Sequence, residues 1–226
     1  MAIEKTTFTQ YTVAELKAYL ETNASSYFNS FELDNSKLLC KIGEQTVLAI
    51  SLTPEAAPYG TSLEITPVGE STAATRAFKG SGRSQPQGIY AGYKSSKGVL
   101  LASQSSYSIL ICKNSDGDTC LVTVTYQYPS SSTSDKPVEI WDLSNSTTPY
   151  EMFKMGSQQP TNAYSFGKLH NSCLSMFPLT TAAGKLLTGV NMSYLSPYVG
   201  EFLYAGLLVQ VGSTKYAYTG VLALQE

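Results

Sequence analysis

His170 is the only histidine in the chain, so any Ser-His-Asp or Cys-His mechanism would have to pass through it. Its setting, Gly167-Lys-Leu-His-Asn-Ser-Cys173, contains no nucleophile elbow of the Gly-x-Ser-x-Gly form. Cys173 follows at a spacing that is no catalytic signature in a β-region, and His170 reads as a loop or edge residue. The four cysteines form no Cys-x-x-Cys pair, and one histidine does not complete an ordinary zinc site. Asn114-Ser-Asp-Gly-Asp118 has the outline of a calcium loop, but its glycine comes too early and no bidentate glutamate follows at the twelfth position. A β-turn accounts for the whole segment. Gly80-Ser-Gly-Arg-Ser84 lacks the Gly-Lys-Ser/Thr that completes a phosphate-cradling loop. Nothing in the linear order of the 17 acidic residues points to a glycosidase-like carboxylate pair. The sequence thus assigns no catalytic residue, no metal ligand and no cofactor, and the expectation is a protein that is not an enzyme.

Aromatic side chains are the stronger lead. The chain has 16 Tyr and one Trp, and only 14% of its residues are charged, against roughly 25% in an average soluble domain. An uncharged, tyrosine-rich surface desolvates readily and suits contact with a protein or a glycan. Tyr90, Tyr93, Tyr107, Tyr126, Tyr128, Trp141, Tyr194 and Tyr198 fall at expected strand ends or in loops. Trp141, Tyr126 and Tyr128 are the candidate ligand-binding residues, as rings that could stack on a sugar. The competing reading is a set of cross-strand pairs that stabilise a sheet, and for Tyr126 and Tyr128, on one strand face, the sheet reading is the better one.

The net charge of −2 and a pI near 5.5 argue against nucleic-acid binding, because neutralising phosphates needs clustered Lys and Arg. Lys94 and Lys97, beside Gly98, are the nearest approach to a patch and read as turn residues. No stretch approaches the ~18 apolar residues of a membrane helix, so no membrane insertion is expected. Met1-Ala-Ile-Glu-Lys5 carries no apolar run of a secretory signal. The expectation is synthesis in the cytoplasm, with the cysteines initially reduced.

The elements that would position these residues are mostly strands. Thr12-Val-Ala-Glu15 has capping-box form, and Val13, Leu16 and Leu20 recur at helical spacing, predicting one short helix that stops near Asn23, with Tyr11 stapled to its first turns. Strands are expected at 27–33, 37–42, 46–52 and 62–68, then at 88–93 and 98–102. The clearest hairpin pairs Tyr107–Lys113 with Thr119–Tyr126 around a turn that needs a positive φ at Gly117. If its loop is the three residues Ser115 to Gly117, Cys112 faces Cys120, and after release from a lysed cell the two could oxidise to a disulfide. A strand is expected near 138–142, little periodicity over 144–165, and further apolar runs at 173–179, 185–190, 201–211 and 216–224, the last two forming a closing hairpin. The fold class is therefore mainly β, an antiparallel sandwich or barrel-like meander with one short N-terminal helix. Residues 1–68 form a helix plus meander, 69–88 a Gly/Ser-rich loop or linker, and 89–226 a β-rich lobe, unless 1–226 is one continuous domain.

Three segments resemble virion structural proteins (tail, baseplate or capsid surface) of tailed phages and prophages of Gram-positive gut bacteria. They are the N-terminal helix running into a strand, Thr12 to Leu33; the Ile-Leu-Ile-Cys-Lys-Asn-Ser-Asp-Gly-Asp hairpin at 109–118; and the C-terminal hairpin Gly212 to Leu224. The resemblance implies a structural subunit that self-associates symmetrically, contacts other particle subunits and ends up in a virion. It transfers no site residues. A host-recognition module that binds a surface glycan through Trp141 and nearby Tyr is the alternative function, and a hydrolase the third.

Overall fold

The computed structural model describes residues 2–9, 12–35, 37–54, 61–67, 76–78, 89, 91–102, 107–125, 137–143, 151–154, 175–181, 183–194, 207–218 and 222–226. Strand β1 (Glu4–Thr7) and helix α1 (Val13–Asn23) come first, followed by β2 (Ser30–Asp34), β3 (Lys37–Ile42), β4 (Gln45–Pro54), β5 (Thr61–Pro67) and β6 (Arg76–Phe78). Next are β7 (Ala91–Lys94), β8 (Gly98–Ala102), β9 (Tyr107–Lys113), β10 (Thr119–Thr125), β11 (Pro137–Asp142) and β12 (Glu151–Lys154). The last five strands are β13 (Ser175–Thr180), β14 (Leu186–Tyr194), β15 (Leu207–Val211), β16 (Thr214–Tyr218) and β17 (Leu222–Gln225).

All strand pairs are antiparallel, in three sheets: a seven-stranded sheet β1-β7-β8-β9-β10-β11-β12, and two five-stranded sheets, β2-β3-β4-β5-β6 and β13-β14-β17-β16-β15. The mainly-β class with one short helix is what the sequence predicts. None of the three sheets closes on itself among the described residues, so the barrel-like alternative gives way to stacked open sheets.

The seven-stranded sheet is the middle layer. Side chains alternate across a strand, and here both faces are apolar. Val99, Leu101, Ile109, Ile111, Leu121 and Trp141 face one core, shared with Leu16, Tyr19 and Leu20 of α1 and with Phe31, Leu38, Cys40, Leu48 and Ile50 of the β2–β6 sheet. Tyr93, Leu100, Leu110, Cys112, Cys120, Val122 and Ile140 face a second core, shared with Leu179, Leu187, Val190, Ala217, Leu222 and Leu224 of the C-terminal sheet. The first core draws residues from both sides of 69–88, so the linker expected there does not divide it. Fully burying a Leu or Ile contributes about 1.5–3 kcal/mol, and many here have no exposure at all.

The helix forms for the local reasons the sequence supplies. Thr12 is extended and its Oγ1 accepts the Glu15 amide at 3.1 Å. The Glu15 carboxylate reaches further back than in a capping box, accepting from the Thr9 amide at 2.9 Å. Tyr11 lies outside the described residues; Phe8 packs edge-on against Tyr19, ring centroids 5.1 Å apart. The helix ends where expected, and the amides of Tyr27 and Phe28 then both donate to the Ala24 carbonyl. That turn delays β2 to Ser30, three residues after its predicted start. Among the described residues no helix is long and apolar enough to cross a membrane.

Five strands depart from the sequence pattern. β1 lies before the helix, all its side chains exposed; β6 falls inside 69–88, read as a loop or linker, and β12 inside 144–165, read as having little periodicity; and the run 216–224 is two strands, β16 and β17.

Tyr19 of α1 lies directly over Gly92 of the middle sheet, where an added Cβ would sit 2.4 Å from Tyr19 Cζ. The ring is hemmed in by Phe8 and the core. Gly92→Ala is therefore expected to destabilise the fold by about 1–3 kcal/mol, read as a lower urea midpoint. An unchanged midpoint would mean that the Tyr19 ring has room to retreat.

Candidate functional site

A cluster of polar side chains from two sheets lies at the tip of the β9–β10 hairpin, where it meets the C-terminal sheet. The Asn114 amide donates to the Asp118 carbonyl at 3.0 Å, and the Gly117 amide donates to the Asn114 carbonyl at 3.0 Å, with Gly117 at φ 88°. The loop is thus the three residues Ser115 to Gly117, a type I turn followed by a left-handed glycine. Asn114, 2% exposed, holds it from within. Its Oδ1 accepts the amides of Asp116 (2.9 Å) and Asp118 (3.0 Å), and its Nδ2 donates to Asp118 Oδ2 (3.2 Å). Asn114 also bridges to Leu187 of β14.

The β13–β14 turn is built alike. The Thr181 amide donates to the Lys185 carbonyl, the Gly184 amide donates to the Thr181 carbonyl, and Gly184 has φ 76°. Thr181 Oγ1 accepts the Lys185 amide at 3.2 Å. Lys185 then extends to the opposite turn, its Nζ 2.9 Å from Asp118 Oδ2 and 3.0 Å from Asp116 Oδ2. The hydrogen bond from Lys185, aided by that from Asn114, holds the Asp118 carboxyl below the usual carboxylate range. The bonds to Asp118 and then Asp116 push the Lys185 ammonium above its ordinary value. The ammonium occupies the place between the carboxylates that a calcium ion would need.

Beneath the turn, one row crosses four strands on the face toward the C-terminal sheet: Gly98, Cys112, Cys120 and Asp142. Cys112 faces Cys120, the register that a three-residue loop requires, and both are free thiols with no solvent exposure. Burial, and then the carboxylates of Asp142 and Asp118, push the Cys120 thiol up to about 12. Burial and the neighbouring Cys120 push Cys112 well up too. Thiols held protonated are neither nucleophiles nor metal ligands. The cluster is a latch between two sheets: one ammonium shared by two carboxylates above a dry pair of thiols.

The residues singled out from sequence fall differently. Trp141 has no exposure; it ends the row Lys94, Val99, Ile111, Leu121, Trp141 on the face beneath the N-terminal layer. It is a core residue, and its expected use as a surface stacking platform is corrected accordingly: alternation along β11 turns the indole into the first core. Tyr93 is buried on the opposite face, with Lys5 Nζ 5.7 Å from its ring centroid. Tyr126, Tyr128, His170 and Cys173 lie outside the described residues. Lys97 is a turn residue as expected, its amide bonded to Ser95 Oγ, and its stem covers Gly189. Sequence reasoning missed Lys185, Thr181 and Asp142. Only the Gly184-Lys185 turn gave a local signal, because Lys185 stands 67 positions from Asp118. Among the described residues no group of three or more His, Cys, Asp or Glu could hold a metal ion. Comparison with protein-family models, with curated proteins and with solved structures finds no match.

Two outcomes follow from the latch. Asp118 has a lowered folded pKa, so its contribution is present above its unfolded value of about 3.9 and is lost as pH falls through the folded one. Lys185 has a raised folded pKa, so its share is present below about 10.4 and is lost as pH rises through the folded value. Asp118→Asn should lower the denaturation midpoint at neutral pH, and the gap to the parent should close on acidification; equal midpoints at neutral pH would show that these ion pairs contribute nothing. For the thiols, mass spectrometry after alkylation should find Cys40, Cys112 and Cys120 unlabelled in the folded protein and labelled after denaturation. A Cys112–Cys120 disulfide in freshly isolated protein would contradict the buried-thiol assignment.

Proposed function

We propose that this chain is a non-enzymatic structural subunit of a phage-like particle, acting through self-assembly and surface contacts. The observation that carries the reading is where apolar surface remains exposed. Leu33, Leu186 and Leu208 are the exposed large hydrophobic residues among those described, each 45–50% accessible. All three lie on the outer sheets, Leu33 on β2 and Leu208 on β15, both of which end their sheets. Sheet edges with exposed leucine favour association with another chain. The ionisable groups at the hairpin tip support the same reading, since they are consumed by holding sheets together. The resemblance to virion structural proteins supplies the particle as the setting, with homo-oligomerisation and other subunits as partners. Burial of Trp141 removes the main support from the glycan-binding alternative.

Light scattering over a dilution series tests the proposal. The expected result is a closed oligomer of fixed mass, visible as a discrete particle by negative-stain electron microscopy. A monomer at every concentration would overturn self-assembly as the function.

A further inference from the structure

The edges of the three sheets are not equally protected. Natural edge strands resist pairing with other chains by carrying charge or proline. β1 contains Lys5, β12 Lys154, β2 Glu32, β6 Arg76, and β13 Pro178. β15, Leu-Leu-Val-Gln-Val, contains neither charge nor proline, and among the described residues it pairs on one side only, with β16.

The backbone of that edge has a definite polarity. β15 and β16 are joined by the two-residue turn Gly212-Ser213, with Val211 opposite Thr214 and Gly212 at φ 61°. Such a turn closes on a hydrogen-bonded pair, and pairs alternate from there. Val211 and Val209 therefore bond inward to β16, whereas Gln210 and Leu208 present their N–H and C=O groups outward. The other side of the ladder agrees: the Lys215 carbonyl, opposite Gln210, accepts from the Glu226 amide and so points away from β15. Leu208 also continues an apolar row. Val190, Leu224 and Ala217 are aligned across the C-terminal sheet and buried, and Leu208 is the next position, half exposed.

We propose that β15 pairs antiparallel with β15 of a second copy of this chain about a two-fold axis at Val209. Leu208 then lies opposite Gln210 of the second copy and the reverse, a self-complementary ladder of about four hydrogen bonds. No like charges meet, because the strand carries none. The two C-terminal sheets become one continuous sheet. This deepens the self-assembly reading and rests on it, naming the strand and symmetry through which the first contact forms.

The test is the solution mass of the full chain and of two variants. Gln210→Pro removes an outward N–H that has no partner among the described residues, and Leu208→Lys places a charge on the edge at a half-exposed position. Each should halve the mass at a concentration where the parent is dimeric, or cut a larger assembly to half-size or smaller, with an unchanged circular-dichroism spectrum. If Gln210→Pro does not fold, Leu208→Lys alone decides. As a positive counterpart, Val209→Cys should form a covalent dimer with diamide, two thiols giving up two hydrogens to the reagent, while the parent does not. Parental mass in a folded variant overturns the β15 contact and leaves self-assembly through another surface standing. A parent that is monomeric throughout overturns both.

Discussion

The structure depends on a middle sheet that is apolar on both faces. A strand with one wet face shows alternating polarity; β8, Gly-Val-Leu-Leu-Ala, has no polar position, and every residue of it is buried. In β9 the isoleucines at 109 and 111 point to one core while Leu110 and Cys112 point to the other. Such a sheet cannot remain against water on either side, so two further layers are obligatory: α1 with the β2–β6 sheet on one face, the β13–β17 sheet on the other. The low charge of the chain follows in part from this geometry, since a buried middle layer has no use for ions.

Apolar burial is strong but undirected, so stacked sheets need directional contacts to fix their relative placement. Both interfaces have them. On the N-terminal side Thr119 Oγ1 donates to the Tyr27 carbonyl at 2.9 Å across 92 positions of sequence. On the C-terminal side Lys185 joins the two carboxylates of the hairpin tip, and Asn114 bridges to Leu187. These contacts lie at the same end of the middle sheet, around the β9–β10 turn. The hairpin most legible in sequence is thus also the point at which all three layers are registered.

Legibility follows how local the determining interaction is. The helix was readable because Thr12 and Leu16 to Leu20 encode cap and stripe within a few residues. The hairpin was readable because alternation runs up to a turn whose Gly117 needs a positive φ, and from the loop length the facing of Cys112 and Cys120 follows. β1 was not, because an edge strand with every side chain in water, Glu-Lys-Thr-Thr, carries no hydrophobic period; only its pairing with β7 makes it a strand. Trp141 was misplaced for a related reason. Alternation shows that it points away from Ile140, but not which face a distant helix will cover. Lys185 was invisible, since nothing local marks a lysine that will meet two aspartates from another sheet.

The facing cysteines show how far placement determines chemistry. By the alternation set at the Asn114–Asp118 pair, Cys112 and Cys120 form a hydrogen-bonded pair, whose Cα separation of about 5.5 Å falls inside the range a disulfide spans. Distance therefore does not keep them reduced. Exchange requires a thiolate and access for the partner reagent, and the fold withholds both: each sulfur has no exposure, and burial holds the proton on. Nearby Asp142 reinforces this, because a second negative charge beside a carboxylate in a dry layer is disfavoured. The same layer that excludes water from the middle sheet keeps its thiols inert, so the cysteines here act as small apolar fillers of a two-sided core.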